Sequence, residues 1–144
     1  MGMSKQTTFT IQTNGQGLYE VTRDVGRWVT AQNQEIGLLT LFVQHTSCSL
    51  LIQENADPDV QTDMTTFFKR LVPDSNHPSM SYLTHIYEGP DDMPAHIKAA
   101  LTPVSLTIPV TKGKMALGTW QGIYLCEHRD RGGRRHLVVT VQGQ

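Results

Sequence analysis

The chain has 144 residues, of which 12 are Lys or Arg and 13 are Asp or Glu, and its formal net charge is −1. A chain of this length buries roughly 68–70% of the surface that it exposes when unfolded, so folding alone requires neither disulfides nor a metal. The near-zero net charge excludes a general nucleic-acid-binding protein, which carries a large basic excess. The charges are nevertheless unevenly distributed. Residues 54–92 hold eight acidic and two basic residues, whereas residues 93–144 hold two acidic and seven basic ones.

The sequence carries no sign of a membrane or secretory protein. It contains no run of about 18 apolar residues, so we expect no transmembrane helix and no membrane partner. Cys48 and Cys126 lie in apolar, strand-like runs, which is typical of buried free thiols in a reducing compartment. We therefore expect a cytoplasmic protein, in which residues 1–5 form a disordered or cloning-derived segment.

The first third of the chain predicts four strands and one helix. Residues 7–12 alternate polar and apolar side chains, and a second short strand is predicted at 18–22. Apolar residues at 21, 25, 28 and 29 have the spacing of an amphipathic helix, with Thr22 as the expected N-cap. The strongly apolar run 37–44 predicts a central strand, and the next strand is predicted at 47–53.

The remainder of the chain predicts two helices and three strands. Asp57 followed by Pro58 is typical of a helix start, and Pro73 ends that helix. A polar loop at 74–93 precedes a shorter helix at 94–101, and strands are predicted at 105–110, 115–127 and 137–142. We therefore predict a single α+β domain over residues 1–144, with a β-sandwich-like core of mostly antiparallel strands and about three helices.

Three of the six histidines occupy positions where functional side chains are common. His45 follows the central apolar strand, His85 enters the polar loop, and His96 lies in the first turn of a helix. None belongs to a compact metal-binding motif, although three ligands from separate elements are normal for a catalytic zinc site. The alternative is that each is an ordinary, partly exposed histidine.

Four further polar side chains are candidates for catalysis. Glu54, Asn55 and Asp57 lie between an apolar strand and a helix, and Glu127 follows an apolar run. An N-cap role would explain Asp57 without any function. Glu54 and Asn55 have no such simple explanation, and for Glu127 the structural and functional interpretations both stay open.

Two glycine-containing segments are candidates for ligand binding. Trp120 lies between Gly118 and Gly122, where the backbone can approach a ligand closely. The alternative there is a β-bulge around a core tryptophan. Residues 129–135 concentrate four arginines around a Gly-Gly turn, which suits phosphate recognition through bidentate hydrogen bonds. The alternative for that segment is a solvated hairpin tip.

Short motifs from about residue 37 to the C-terminus together carry a family resemblance. They are Gly37-Leu38-Leu39, His45-Thr46-Ser47, Glu54-Asn55, Asp57-Pro58, Tyr82, His85, Glu88-Gly89, Asp91-Asp92-Met93-Pro94, His96-Ile97-Lys98, Gly118-Thr119-Trp120-Gln121, Glu127-His128-Arg129 and Gly132-Gly133-Arg134. With these motifs the chain resembles the YjbQ family, also called the secondary thiamine-phosphate synthase family. Thr102-Pro103 departs from the Leu-Gly that relatives often have, and we expect it to alter a turn rather than a site.

The resemblance implies a fold, an assembly and an activity. The implied fold is a compact α+β structure with a β-sandwich core, and the implied assembly is a homotrimer, with a dimer of trimers as the alternative. The implied activity is thiamine-phosphate synthesis, in which hydroxymethylpyrimidine diphosphate is joined to thiazole phosphate and diphosphate is released. The expected partners are therefore a small phosphorylated metabolite and further copies of the chain.

The resemblance also places the three histidines on motif positions. We predict that His45, His85 and His96 share a divalent metal, with zinc favoured because it suits neutral imidazoles and magnesium as the alternative. The candidates for orienting a ligand or moving a proton are Glu127, Glu54, Asp57 and Asn55. The candidate substrate contacts are Thr46, Ser47, Lys98, Thr119, Trp120, Gln121, Arg129 and Arg134. Among these, Lys98, Arg129 and Arg134 would contact phosphates and Trp120 would stack on a ring.

Two other functions stay open. Three histidines, an open metal position and a nearby glutamate would also serve a metal-dependent hydrolase of a small phosphorylated or cyclic metabolite. The third possibility is a trimeric metal- or ligand-binding protein without catalysis. Asp91-Asp92 is only a partial match to a multi-carboxylate magnesium motif, which weakens the synthase interpretation. In each case we expect the acidic stretch 54–92 and the basic stretch 93–144 to meet in one pocket.

Overall fold

The computed structural model describes residues 3–143. Over that range the chain forms eight strands and three α-helices. In chain order they are β1 (Met3–Gln12), β2 (Gly17–Glu20), α1 (Thr22–Ala31), β3 (Ile36–Val43), β4 (Cys48–Glu54), α2 (Pro58–Leu71), α3 (Asp92–Leu101), β5 (Ser105–Thr111), β6 (Lys114–Met115), β7 (Gln121–Glu127) and β8 (Arg134–Gly143). A short 3-10 helix, Pro78–Met80, interrupts the polar loop between α2 and α3.

The strands form two antiparallel sheets. The larger sheet has the order β1-β8-β3-β5-β6, and the smaller has the order β2-β7-β4. Every ladder in the described range is antiparallel. The α+β class and the antiparallel β-sandwich core predicted from the sequence are therefore confirmed.

The hydrophobic core lies between the two sheets. Leu39, Leu41 and Val43 alternate with exposed residues along β3, and they pack with Leu50 of β4 and Leu125 of β7. Strand β7 is buried at six of its seven positions because the larger sheet covers one face and helices cover the other. On the helical side, the Tyr124 hydroxyl accepts a hydrogen bond from Gln61 of α2. Burial on both faces makes β7 a rigid support for the residues at its two ends.

The helices begin for different reasons. Asp57 caps α2 by accepting a hydrogen bond from the backbone N–H of Asp59 at 2.9 Å, as predicted. Thr22 is not the cap of α1, which Val21 precedes without any side-chain cap. Instead, the Thr22 hydroxyl accepts a hydrogen bond from the Ile123 N–H and donates one to Glu20, so it ties the helix to β7.

Three further sequence predictions require correction. Residues 3–5 are not disordered, because they pair with β8 as the start of β1; residues 1 and 2 lie outside the described range. The strand predicted over 115–127 is divided, since Gly118 and Gln121 form a turn closed by two hydrogen bonds. In α2, the spacing of Phe67, Phe68 and Leu71 predicts one apolar buried face, but Phe68 is buried whereas Phe67 and Leu71 are about half exposed.

The part of the larger sheet's outer face that β3 and β5 form carries no charged side chain and is partly apolar, and we call it the β3–β5 face. Along β3 it presents Ile36, Leu38 and Phe42, each exposed by 45% or more. The neighbouring β5 contributes Ser, Thr and Pro side chains to the same face.

No helix of the described range is long and apolar enough to cross a bilayer.

Candidate functional site

The predicted site residues fall into two groups at opposite ends of the smaller sheet. Cys48 pairs with Glu127 at one end of the β4–β7 ladder, and Glu54 pairs with Gln121 at the other. Six residue steps along a strand separate these ends by about 20 Å. At the Glu127 end lie His45, Thr46, Ser47, His85, His96 and Arg129. At the Gln121 end lie Glu54, Asn55, Asp57, Thr119 and Trp120.

Three side chains at the Glu127 end converge as metal ligands would. One ligand atom from each of His85, Asp92 and His96 lies within 4.8 Å of the other two, and we call this set the His-Asp cluster. Asp92 Oδ2 lies 2.9 Å from His85 Nε2 and 3.3 Å from His96 Nε2. Two histidines and one carboxylate are a ligand set that divalent zinc accepts. His45 lies outside this cluster.

A backbone carbonyl determines the tautomer of His96. The carbonyl oxygen of Thr46 lies 3.2 Å from His96 Nδ1, and because a carbonyl can only accept, Nδ1 carries the proton. The Nε2 lone pair of a neutral His96 then faces the Asp92 carboxylate at 3.3 Å. Two acceptors face each other at this point unless a proton or a metal cation lies between them. A metal-binding histidine typically donates its other N–H to a carbonyl in this way.

Arg129 holds the carboxylate of Asp92 in place. Its Nη1 atom lies 2.7 Å from Asp92 Oδ1, and its Nε donates to Asp91 Oδ2 at 2.9 Å. Burial raises the pKa of Asp92, but hydrogen bonding and the charge of Arg129 outweigh burial and keep the pKa below its ordinary value. Asp92 is therefore an anion at neutral pH, with Oδ2 turned toward the two histidines. Arg129 makes a third hydrogen bond to the Glu88 carbonyl, so its guanidinium is already engaged.

Glu127 is a buried, fully hydrogen-bonded carboxylate. It accepts from Thr13 Oγ1 at 2.5 Å, Arg135 Nε at 2.7 Å and the Arg129 backbone N–H at 3.2 Å. The thiol of Cys48 contacts it as well. Burial raises the pKa of Glu127, yet the hydrogen bonds from Arg135 and Thr13 lower it overall. A carboxylate with this many donors is suited to positioning its neighbours rather than to abstracting protons.

His45 is held next to this carboxylate through Arg135. The Ser47 backbone N–H donates to His45 Nδ1 at 3.0 Å, and Arg135 Nη1 lies 3.1 Å from His45 Nε2. N–H groups therefore face both ring nitrogens, an arrangement that disfavours the imidazolium. Burial and the charge of Arg135 correspondingly lower the pKa of His45. His45 is neutral at pH 7 and has no ring nitrogen directed at the His-Asp cluster.

A cleft of about 640 Å³ opens beside His96. His45, Thr46 and His96 line its polar end, and its remaining walls are mainly aliphatic or aromatic. The aliphatic and aromatic lining residues are Phe42, Val43, Ala99, Ala100 and Val104. A cleft of this volume accommodates a small metabolite with an apolar or ring portion.

At the Gln121 end, the predicted catalytic residues have structural contacts. Asn55 donates from Nδ2 to Glu20 at 3.0 Å and from its backbone N–H to the Trp120 carbonyl. Glu54 accepts from the backbone N–H of Asp57, which caps α2. Trp120 is 62% exposed and is therefore not a core tryptophan. These residues connect β4, β7 and α2, and they lie far from the His-Asp cluster.

The remaining predicted phosphate contacts do not converge on the cluster. Lys98 is buried and lines a different cleft, where its Nζ donates to Gln16 at 3.1 Å. Burial lowers the pKa of Lys98. Arg134 is exposed and starts β8 opposite Gln12. The acidic stretch 54–92 and the basic stretch 93–144 do meet. They do so through ion pairs of Arg129 with Asp91 and Asp92, and Lys98 and Arg134 take no part.

Sequence reasoning missed three contributors to this site. In the sequence Asp92 stands out only as half of a partial magnesium motif, although its spacing of four residues from His96 suits one face of a helix. Arg135 was counted only as part of an arginine-rich turn. Glu88, whose Oε2 lies 3.1 Å from His85 Nε2, was noted only as a motif residue.

Comparison with known proteins shows what the chain resembles. The family model described as "UPF0047 protein YjbQ-like" matches residues 7–144. A UPF0047 protein of Synechocystis is 46% identical over 96% of this chain and 92% of its own length. The UPF0047 protein YjbQ of Escherichia coli O157:H7 is 45% identical over 96% of this chain and 98% of its own. A crystal structure of a YjbQ/UPF0047 protein from Clostridium acetobutylicum superposes with a TM-score of 0.82 at 31% identity, covering 94% of this chain and 98% of that one.

Proposed function

The chain belongs to the YjbQ-like UPF0047 family, and we propose that it is a metal-dependent hydrolase of a small phosphorylated or cyclic metabolite. One observation carries the proposal. The Thr46 carbonyl directs the Nε2 lone pair of His96 at the carboxylate of Asp92, where His85 also points. A divalent cation between these three groups would remove the conflict between the two acceptors. Zinc is favoured because two neutral imidazoles and one carboxylate suit it.

A metal held by three protein groups retains an open position. Bound there, zinc would act as a Lewis acid and bring the pKa of a coordinated water to about 7. Arg129 keeps Asp92 ionised and oriented through its 2.7 Å contact. Glu88 is an exposed carboxylate beside His85, and it is our candidate for accepting a proton from the attacking water.

The cleft beside His96 defines the substrate class. Its polar end leads to His96 and its walls are mainly apolar, so the substrate has a ring or alkyl portion attached to the group that is hydrolysed. Asp91, Asp92 and Glu88 surround the cluster with negative charge that Arg129 only partly offsets. A phosphoryl group would therefore depend on the cation for its binding.

The test combines metal analysis with turnover. We expect the purified protein to contain one divalent metal per chain, and we expect Asp92→Asn and His96→Ala to lose it. His136→Ala is the matched control, since His136 is exposed and contacts Thr10 outside the cluster. Turnover is then measured with a panel of phosphate monoesters and cyclic phosphates. Absence of stoichiometric metal refutes the site, whereas metal without any turnover favours a binding protein.

Thiamine-phosphate synthesis is the second candidate, and it rests on the family resemblance. That reaction requires diphosphate to leave a benzylic-type carbon, which a metal and cationic side chains would assist. Arg129 is engaged with Asp91 and Asp92, and Lys98 lies in another cleft, so the geometry offers less to this reaction than to hydrolysis. A coupling assay with both precursors separates the two functions, because only the synthase forms a carbon–nitrogen bond.

We also propose that the β3–β5 face is covered by further copies of this chain, in keeping with the homotrimer expectation. Ile36, Leu38 and Phe42 expose apolar surface there, without any charged neighbour on β3 or β5. An exposed face with apolar side chains and no charge is typical of homo-oligomer interfaces. The buried thiols of Cys48 and Cys126 support the expectation of a cytoplasmic location.

A further inference from the structure

A second cleft, of about 710 Å³, lies on the other side of α3 from His96. Lys98 follows His96 by two residues, so the two side chains leave the helix about 200° apart. The lining of this cleft includes Gln16, Lys69, Asp74, Asn76, His77 and Lys98. None of the three members of the His-Asp cluster is among its lining residues.

The ammonium group of Lys98 is incompletely paired in this cleft. Lys98 is 2% exposed. Within residues 3–143, its Nζ donates one hydrogen bond, to Gln16 Oε1 at 3.1 Å. No carboxylate of the described chain lies within 4.0 Å of it. An ammonium group has three N–H donors, and Gln16 accepts one of them, so donors remain for other acceptors in the cleft. An oxyanion of a ligand in the cleft could accept from these remaining donors.

The other charges of the cleft limit what that ligand can be. Asp130 also lines the cleft and accepts a hydrogen bond from Gln16 Nε2 at 2.7 Å, so Gln16 links Asp130 to Lys98. Lys69 and Lys98 are balanced by Asp74 and Asp130. A multiply charged phosphate would meet both carboxylates, whereas a single carboxylate that also carries a hydrogen-bond donor can satisfy both signs.

We propose that this cleft is a second binding site, for a small carboxylate that carries a hydroxyl or ammonium group. Lys98 contacts the carboxylate, and Asp74 or Asp130 accepts from the hydroxyl or ammonium. His77 adds a donor at Nε2, because its Nδ1 accepts from the Ser79 backbone N–H and Nε2 is therefore the ring nitrogen that carries a proton. The site is independent of the hydrolase proposal, since it uses none of the three groups of the His-Asp cluster.

The test is calorimetric titration of the full chain with four probes: L-serine, glycerate, propionate and inorganic phosphate. We expect saturable binding of serine or glycerate, and at least about tenfold weaker binding of propionate, which has no donor. Tighter binding of serine identifies an ammonium as the second group, and tighter binding of glycerate identifies a hydroxyl. No saturable binding, or binding of phosphate in preference to both, overturns the proposal.

Variants locate the site. Lys98→Met should weaken binding at least about tenfold, whereas Lys114→Met, on an exposed strand, and His96→Ala should leave it unchanged. Equal affinity in Lys98→Met, or loss in His96→Ala, overturns the assignment. If Lys98→Met does not fold, NMR chemical-shift mapping on the unmutated protein with the same probes shows whether the ligand binds in this cleft. Amide shifts should cluster at residues 74–77 and 130, and shifts confined to His85 and His96 contradict the proposal.

Discussion

Glu127 and Arg135 form a buried ion pair, with Oε1 2.7 Å from Nε, that joins the two sheets. Glu127 ends β7 in the smaller sheet and Arg135 lies near the start of β8 in the larger one. Through Arg135 the pair reaches His45, and through the Arg129 backbone it reaches the residue that orients Asp92. The pair therefore links the sandwich core to the candidate site.

Removing the charge of Glu127 should destabilise the fold strongly. In Glu127→Gln the guanidinium of Arg135 stays buried without its anion, and breaking a buried pair in this way costs about 3 kcal/mol of unfolding free energy. Urea denaturation at pH 7 measures the change. Glu35→Gln, at an exposed position, should stay within about 0.5 kcal/mol of the parent. A double variant with Arg135→Met should recover part of the loss, and if it does not, the ion pair is not the cause.

His128 should make the protein acid-sensitive. Burial lowers the pKa of His128 to about 4, with the charge of Lys98 acting in the same direction and Glu127 opposing. The unfolded chain takes up a proton near pH 6.5 while the folded chain does not, so stability falls as the pH drops from 6.5 toward 4. The loss attributable to His128 is about 2 kcal/mol by pH 5. Denaturation of His128→Gln at pH 7 and pH 5 should lack this component, and an unchanged slope would contradict it.

Gly132 should not tolerate a side chain. A Cβ at this position would overlap the backbone of Thr13, whose N–H donates to the Gly133 carbonyl. Gly132→Ala should therefore cost about 1–3 kcal/mol of unfolding free energy. Gly17→Ala is the matched control, because its Cβ would meet only a Tyr19 ring carbon at 3.8 Å. Equal stability of the two variants would show that the turn can shift.

His45 and His96 should separate metal binding from turnover. Because the Ser47 N–H occupies Nδ1 of His45, we expect His45→Ala to retain the metal that His96→Ala loses. Turnover should fall in both variants, since His45 lines the cleft next to His96. Elemental analysis alongside the activity assay measures both properties. Loss of metal in His45→Ala would show that His45 is a metal ligand after all.

Leu38→Lys should disrupt self-association. It places a charge on the β3–β5 face, beside β5 residues that carry none, and a buried unpaired charge at an interface is costly. Light scattering after gel filtration should show smaller particles than the trimer expected for the parent. Tyr87→Lys, at a 92% exposed position elsewhere, should leave the mass unchanged. A monomeric parent protein would refute the trimer directly.

Local patterns in the sequence predicted most of the fold because they reflect local physics. The central strand predicted for the apolar run 37–44 and the Asp57-Pro58 helix start both appear in the structure as expected, as β3 and α2. The sequence predicts the start of α3 two residues late, because Pro94 resembles the first residue of a helix. Proline is tolerated throughout the first turn, where N–H groups lack helical partners, and α3 begins at Asp92. This displacement concealed the one-turn spacing between Asp92 and His96.

The candidate site was harder to predict because it depends on pairing between distant strands. Glu54, Trp120 and Glu127 all resemble functional residues when each is considered alone. Only the antiparallel register of β4 and β7 shows that the first two lie at one end and the third at the other. Similarly, Arg135 contacts Glu127 because β8 brings it between the sheets, and no local pattern encodes that contact.

The group that orients His96 is the carbonyl oxygen of Thr46 rather than a side chain. Every amino acid supplies the same oxygen, so substitutions at position 46 can accumulate without altering the protonation pattern of the imidazole. Only a change in the path of the chain between β3 and β4 would do so. The tautomer of His96 therefore depends on the backbone path of the loop between β3 and β4. A comparison of residue identities at position 46 would not reveal that dependence.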